Sequence, residues 1–210
     1  MLWIHAGPHK AASSYVTERL RKNRTTLAAQ RVLMDGDNNL LANSIAEKNY
    51  QPLEQALSGL PSDFQRILIS SSSLDTRILK RSVLTILRDM ASSYGFKLGI
   101  SYFIRDQQSW LNSVYCHRVR RFRSTQDFPD YCRYIMNNPS SWDISYPSKF
   151  SPLKDYPGIV KMFLPLSRQV ERTDPFLALT SALGLKEPPG LGWLKGEPSK
   201  KNIQPGAKGI

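Results

Sequence analysis

The chain opens on an apolar run, Leu2-Trp3-Ile4-His5-Ala6, with the length and residue types of a short strand. Gly7-Pro8-His9-Lys10 breaks it. The next segment places Tyr15, Val16 and Leu20 on one side of a helix, with Ser13 and Ser14 in its first turn. Val32-Leu33-Met34 predicts a second strand, ended by the turn-forming Asp35-Gly36-Asp37-Asn38-Asn39. A helical stretch covers about 45–57, Gly59-Leu60-Pro61 interrupts it, and 66–70 reads as a third strand. Ile78, Leu79, Val83, Ile86, Leu87 and Met90 recur at helical spacing, predicting a helix over 78–94 that Gly95 stops. A fourth strand over 98–104 leads into a helix from about 108 to 121. A fifth strand, 159–163, and a short helix, 175–183, follow.

Strands alternating with helices through short joins predict an α/β fold, a three-layer sandwich with a mostly parallel central sheet. At 210 residues there is room for one domain and a sizeable core. That domain is expected over 1–185; residues 186–210, rich in Gly, Pro and Lys, read as a C-terminal loop or tail. No apolar run approaches the length of a membrane span, and Met1 leads into the first strand without a signal-peptide pattern. Cys116 and Cys132 are too few for a disulfide scaffold, so thiols in a reducing, cytoplasmic setting are expected. The net charge of +12, from 29 Lys+Arg against 17 Asp+Glu, favours anionic ligands without choosing among them.

The chemistry concentrates at two places. In open α/β sheets ligands gather at the carboxyl ends of strands, and the first strand-to-helix turn is a ready anion site. Here that turn supplies Lys10 as a cation and Ser13 and Ser14 as hydroxyl donors. It is no Walker A loop, because Gly-x-x-x-x-Gly-Lys-Ser/Thr is absent. The plainer alternative is that the serines cap a helix and Lys10 is solvated. The second place is the end of the fourth strand, Phe103-Ile104-Arg105-Asp106, with Ser113 one to two turns into the next helix. Arg105 there can grip a phosphate bidentately, with Ser113 pointing back at it; a surface Arg105–Asp106 pair is the alternative.

Ile4 to Ser14, with Asn23-Arg24 downstream, resembles the 5′-phosphosulfate-binding segment of bacterial carbohydrate-type sulfotransferases, which use 3′-phosphoadenosine 5′-phosphosulfate (PAPS) and typically read Gly-x-His-Lys-Thr-x-Thr-Thr there. Phe103-Ile104-Arg105-Asp106 through Trp110-Leu111-x-Ser113-x-Tyr115 is similar to their 3′-phosphate segment, with the same arginine-to-serine spacing. Ile159-Val160-Lys161-Met162-Phe163, Asp174-Pro175 and Leu183-Gly184-Leu185 are similar to the late strand and closing helix. The resemblance implies a P-loop NTPase-like sulfotransferase fold. It also implies PAPS as co-substrate, adenosine 3′,5′-bisphosphate (PAP) as product, no metal, and a hydroxyl acceptor on a carbohydrate or glycolipid. Lys10 would contact the 5′-phosphate and the bridging oxygen. The segment Gly7, Pro8, Lys10, Ala11, Ala12, Ser13 and Ser14 would cradle the 5′-phosphate, and Arg105 with Ser113 would hold the 3′-phosphate.

The chain departs from that pattern at Ala11 and Ala12, where the family usually has a hydroxyl residue and often a glycine, and at Ser72, where it often has Glu. The general base has two candidates: His9 inside the turn, and Asp35 beside Asp37 after the second strand, where simple turn chemistry is the alternative. His5, in mid-strand, reads as a core histidine. The run His117-Arg118-Val119-Arg120-Arg121-Phe122-Arg123 suits an anionic glycan, a nucleic acid, a membrane surface or a solvated helix end. Trp142, Tyr146 and Phe150 are candidate sugar platforms or local packing, and Lys195, Gly196, Lys200 and Lys201 are candidate donor contacts. Two rival functions remain: a magnesium-dependent small-metabolite kinase, and a non-catalytic basic protein that binds nucleotides or nucleic acid.

Overall fold

The computed structural model describes residues 1–8, 10–36, 38–121, 123, 125–138, 145–166 and 174–195. Five strands form one sheet: β1 (Leu2–His5), β2 (Val32–Met34), β3 (Arg66–Ser70), β4 (Leu98–Arg105) and β5 (Ile159–Leu166). Their order is β2-β3-β1-β4-β5, and every neighbouring pair is parallel, so the sheet is parallel throughout. Parallel neighbours need crossovers, and helices supply them. Between β1 and β2 run α1 (Ser13–Lys22) and α2 (Arg24–Ala29); between β2 and β3, α3 (Leu40–Ala46) and α4 (Gln51–Ser58). Helix α5 (Arg81–Ser93) joins β3 to β4. Helices α6 (Gln107–Arg120), α7 (Phe128–Asn137) and α8 (Tyr146–Lys154) join β4 to β5, and α9 (Pro175–Ala182) follows.

Strands buried on both faces carry apolar residues at odd and even positions alike. Leu2, Ile4, Ile67, Ile69, Leu98 and Ile100 fill one face under helices α3 to α5, in a cluster that holds Ile45, Leu53 and Leu84. Trp3, Leu68 and Phe103 fill the opposite face with Val16 and Leu20 of α1, Leu27 of α2 and Phe176 of α9. The result is three layers, with helices on both faces of the sheet. No helix among the described residues is long and apolar enough to cross a membrane.

Several elements differ from the sequence expectation, each for a local reason. The helix expected over 45–57 is two, because Lys48 takes a left-handed φ of 62° and Pro52 starts a new helix. The helix expected from 78 begins at Arg81, because Lys80 is extended; Ile78 and Leu79 are buried in the turn before it. Helices α7 and α8 escape the sequence pattern because their prolines resemble loop signals. In both, proline sits in the first turn, where no N–H is missed, and Asp127 and Ser145 cap the amides of Asp130 and Ser148. Tyr146 and Phe150 therefore stand on a helix and not in a loop. Strand β5 runs on to Leu166 through Pro165, which an edge strand tolerates.

Residues 186–195 form a loop that packs on the domain. Trp193 meets Phe176 edge-on at 5.2 Å. The Leu194 amide donates to Asn23 Oδ1 (2.8 Å), and the Leu194 carbonyl accepts from Asn23 Nδ2 (3.0 Å) and Arg19 Nε (3.3 Å). Asn23 is fully buried between α1 and α2. Replacing it with alanine should therefore lower the unfolding free energy by about 1–3 kcal/mol, through buried groups left unpaired. Denaturant titration followed by tryptophan fluorescence checks this, and an unchanged midpoint would refute the anchoring role of Asn23.

Candidate functional site

The turn after β1 is shaped by crowding. A side chain at Gly7 would overlap the Ser13 hydroxyl, so only glycine fits beneath the start of α1. Pro8 O accepts from the Ala11 amide (3.2 Å) and, at 3.5 Å, from Ser13 Oγ. Lys10 and Ala12 both have left-handed backbones, with φ of 68° and 58°. A left-handed residue on either side of Ala11 bends the chain from the turn after β1 into the start of α1. Ala12 is the helix N-cap and offers no capping side chain; neither serine caps the helix. The first amide to bond back into α1 is that of Val16, to Ala12 O at 3.0 Å. The amides of Ser13, Ser14 and Tyr15 precede it and carry the positive end of the helix dipole. Ser13 is buried, Ser14 exposed, and Ala11 lies wholly in the core, where a hydroxyl would have needed its own partner.

Beneath the turn lies a polar row across the three central strands. His5 is in register with Ser70 of β3 and Ser101 of β4. Its Nδ1 lies 2.8 Å from Ser70 Oγ, which lies 2.7 Å from Thr17 Oγ1 on α1. The ring stands edge-on to Phe103 at 5.2 Å. Full burial lowers its pKa to about 4, so the ring is neutral at ordinary pH. His5 is thus a core histidine, and its network ties β1 and β3 to the helix that starts the site.

The second segment reaches the first through Arg105. At the carboxyl end of β4, its Nη1 donates to the Lys10 carbonyl at 3.0 Å, while its own carbonyl accepts from the Tyr146 hydroxyl at 2.6 Å. Ser113 faces the same cleft, of about 890 Å³, together with Pro8, Lys10, Ala12, Ser13, Ser14, Ser72 and Arg105. Burial, and then the charges of Arg120 and Arg121, push the Lys10 ammonium below its ordinary pKa. The arrangement can hold a multiply charged anion between a helix N-terminus and two cations.

The remaining candidates fall elsewhere. Asp35 is buried, and its two carboxylate oxygens accept from the amides of Leu41 (3.1 Å) and Ala42 (3.0 Å). It caps α3 and is not among the residues lining the cleft. Lys195 is exposed and does not line the cleft either. His9, Asp37, Phe122, Trp142, Gly196, Lys200 and Lys201 lie outside the described residues. Among the described residues no group of three His, Cys, Asp or Glu is placed to hold a metal ion. Sequence reasoning missed the anchor of α1: Arg19, 3% exposed, pairs with Asp174 and lies over the Phe176 ring at 4.2 Å. Its only signal was a basic residue on the apolar side of a short helix. No protein-family model matches the chain, and no curated protein matches it either.

Two outcomes test this geometry. Unfolded histidine titrates near 6.5 and buried His5 near 4, so the unfolded chain binds the extra proton between those values. Stability is intact above pH 6.5 and falls toward pH 4, by about 3 kcal/mol from this one residue. Urea titrations of wild type and His5→Gln should show that dependence shrinking in the variant; an identical slope in both would refute it. At Ala12, glycine removes a left-handed strain of about 1–2 kcal/mol and adds about 0.5–1 kcal/mol of unfolded-state entropy. Ala12→Gly should therefore raise the melting temperature, and a lower one would contradict the assigned backbone.

Proposed function

We propose that this chain is a sulfotransferase that moves a sulfuryl group from PAPS to a hydroxyl of a carbohydrate or glycolipid. The observation that carries the reading is the 3.0 Å bond from Arg105 to the Lys10 carbonyl. It brings the residue expected at the 3′-phosphate to the segment expected at the 5′-phosphate, with Ser113 lining the same cleft. The cleft suits such a donor chemically, since it offers hydroxyls, amides and cations.

On this reading the amides opening α1 bind the 5′-phosphate, and Lys10 stabilises the negative charge gathering on the bridging oxygen. Of the five N–H donors of Arg105, the Lys10 carbonyl takes one, and the rest of the fork with Ser113 serves the 3′-phosphate. The acceptor oxygen bonds to sulfur as the bond from sulfur to the bridging oxygen breaks, and the hydroxyl proton passes to solvent. The products are the sulfate ester and PAP. Because such a transfer passes through a loose transition state, positioning and charge stabilisation supply most of the rate.

Calorimetry with PAP, AMP and ATP–magnesium tests the donor. PAP should bind more tightly than AMP by about 10- to 100-fold, the worth of its 3′-phosphate contacts, and Arg105→Ala should erase that margin. Lys10→Ala should abolish sulfate transfer from labelled PAPS. Preference for ATP–magnesium over PAP would overturn the reading in favour of a kinase.

A further inference from the structure

Helix α6 turns 100° per residue, so Ser113, His117, Arg120 and the following Arg121 fall on one face. All four line the cleft that holds the turn after β1, and Arg118 and Arg123 line it too. The described lining residues include six lysines and arginines and no Asp or Glu. A helix C-terminus attracts cations, which accounts for basic residues in the last turn of α6 but not for their direction. Arg120 and Arg121 lie close enough to Lys10 to disfavour its charge. Like charges crowded into one cleft repel, and an anion between them relieves the repulsion.

On the sulfotransferase reading the phosphates of the donor are met by Lys10, Arg105, Ser113 and the start of α1, and the arginines of the α6 end line the same cleft beyond them. We propose that this arginine face is the acceptor subsite, and that it takes a saccharide bearing carboxylate or sulfate groups. Its role toward an acceptor rests on the sulfotransferase reading; the anionic subsite rests on the cleft itself. A nucleic acid would call on the same cations, and the oligonucleotide in the test below separates the two ligands. A cleft of about 890 Å³ accommodates a nucleotide with a sugar or two.

The test is calorimetry on the full chain with a sulfated heparin disaccharide, cellobiose as a neutral disaccharide, a short oligodeoxynucleotide and PAP. Arg120 and Arg121 are exposed, so Arg120→Gln/Arg121→Gln should fold, and its melting curve checks that. The sulfated disaccharide should bind wild type better than cellobiose, more weakly as salt rises, and the double variant should lose about tenfold or more in its affinity. PAP affinity should change by no more than about threefold, since the residues assigned to its phosphates are untouched and the nearby charge lost is screened by salt. Equal binding of the sulfated sugar by wild type and variant would overturn the proposal, as would equal binding of the two sugars or tighter binding of the oligonucleotide. If PAP fails to bind while the sulfated sugar binds through the two arginines, the anionic subsite stands and the donor assignment falls.

Discussion

Arg105 is held from both ends, and the site depends on that grip. Its carbonyl accepts from Tyr146 on α8 and its guanidinium donates to the carbonyl of Lys10. The first bond fixes the carboxyl end of β4 against the helical layer; the second fastens the turn after β1 to that end. A left-handed residue such as Lys10 is costly in isolation, at about 1–2 kcal/mol, and persists where its surroundings hold it. Arg105 supplies part of that hold from above. The polar row of Ser70, His5 and Thr17 ties α1, which follows the turn, to β1 and β3.

The sheet order explains why these residues meet. Strand β1 lies between β3 and β4, so its carboxyl end opens between two other strand ends. Helix α1 leaves over one face of the sheet and α5, after β3, packs on the other. The ends diverge, and a crevice opens where they part. Crowding then sets the detail: Gly7 lies under Ser13, and Gly99 of β4 lies under the Trp3 ring.

Strand and helix positions were largely legible because burial on both faces leaves continuous apolar runs, as in 66–70 and 98–104. What escaped was set by distance or by context. Pro147 and Pro152 read as breakers, although one opens α8 and the other is absorbed within it. Asp35 looked like a chemical group and serves as a cap, because the amides it meets belong to residues 41 and 42 and only folding brings them to it. The pairing of Arg19 with Asp174 spans 155 residues and has no local signature. Arg105 and Lys10 could each be picked out from local pattern, but their contact across 95 residues could not.

The two alanines of the turn act differently once placed. Ala11 is buried in the core, so the absent hydroxyl is no loss to the cleft wall: at that position it would have faced apolar neighbours. Ala12 faces the cleft in a left-handed conformation that glycine adopts without strain. Its cost falls on stability, while the amides after it keep their direction. A helix start with no side-chain cap leaves those amides for an outside anion. The departures at 11 and 12 thus bear on how firmly the turn is held, and the charge that an anion would meet there comes from Lys10, Arg105 and the backbone.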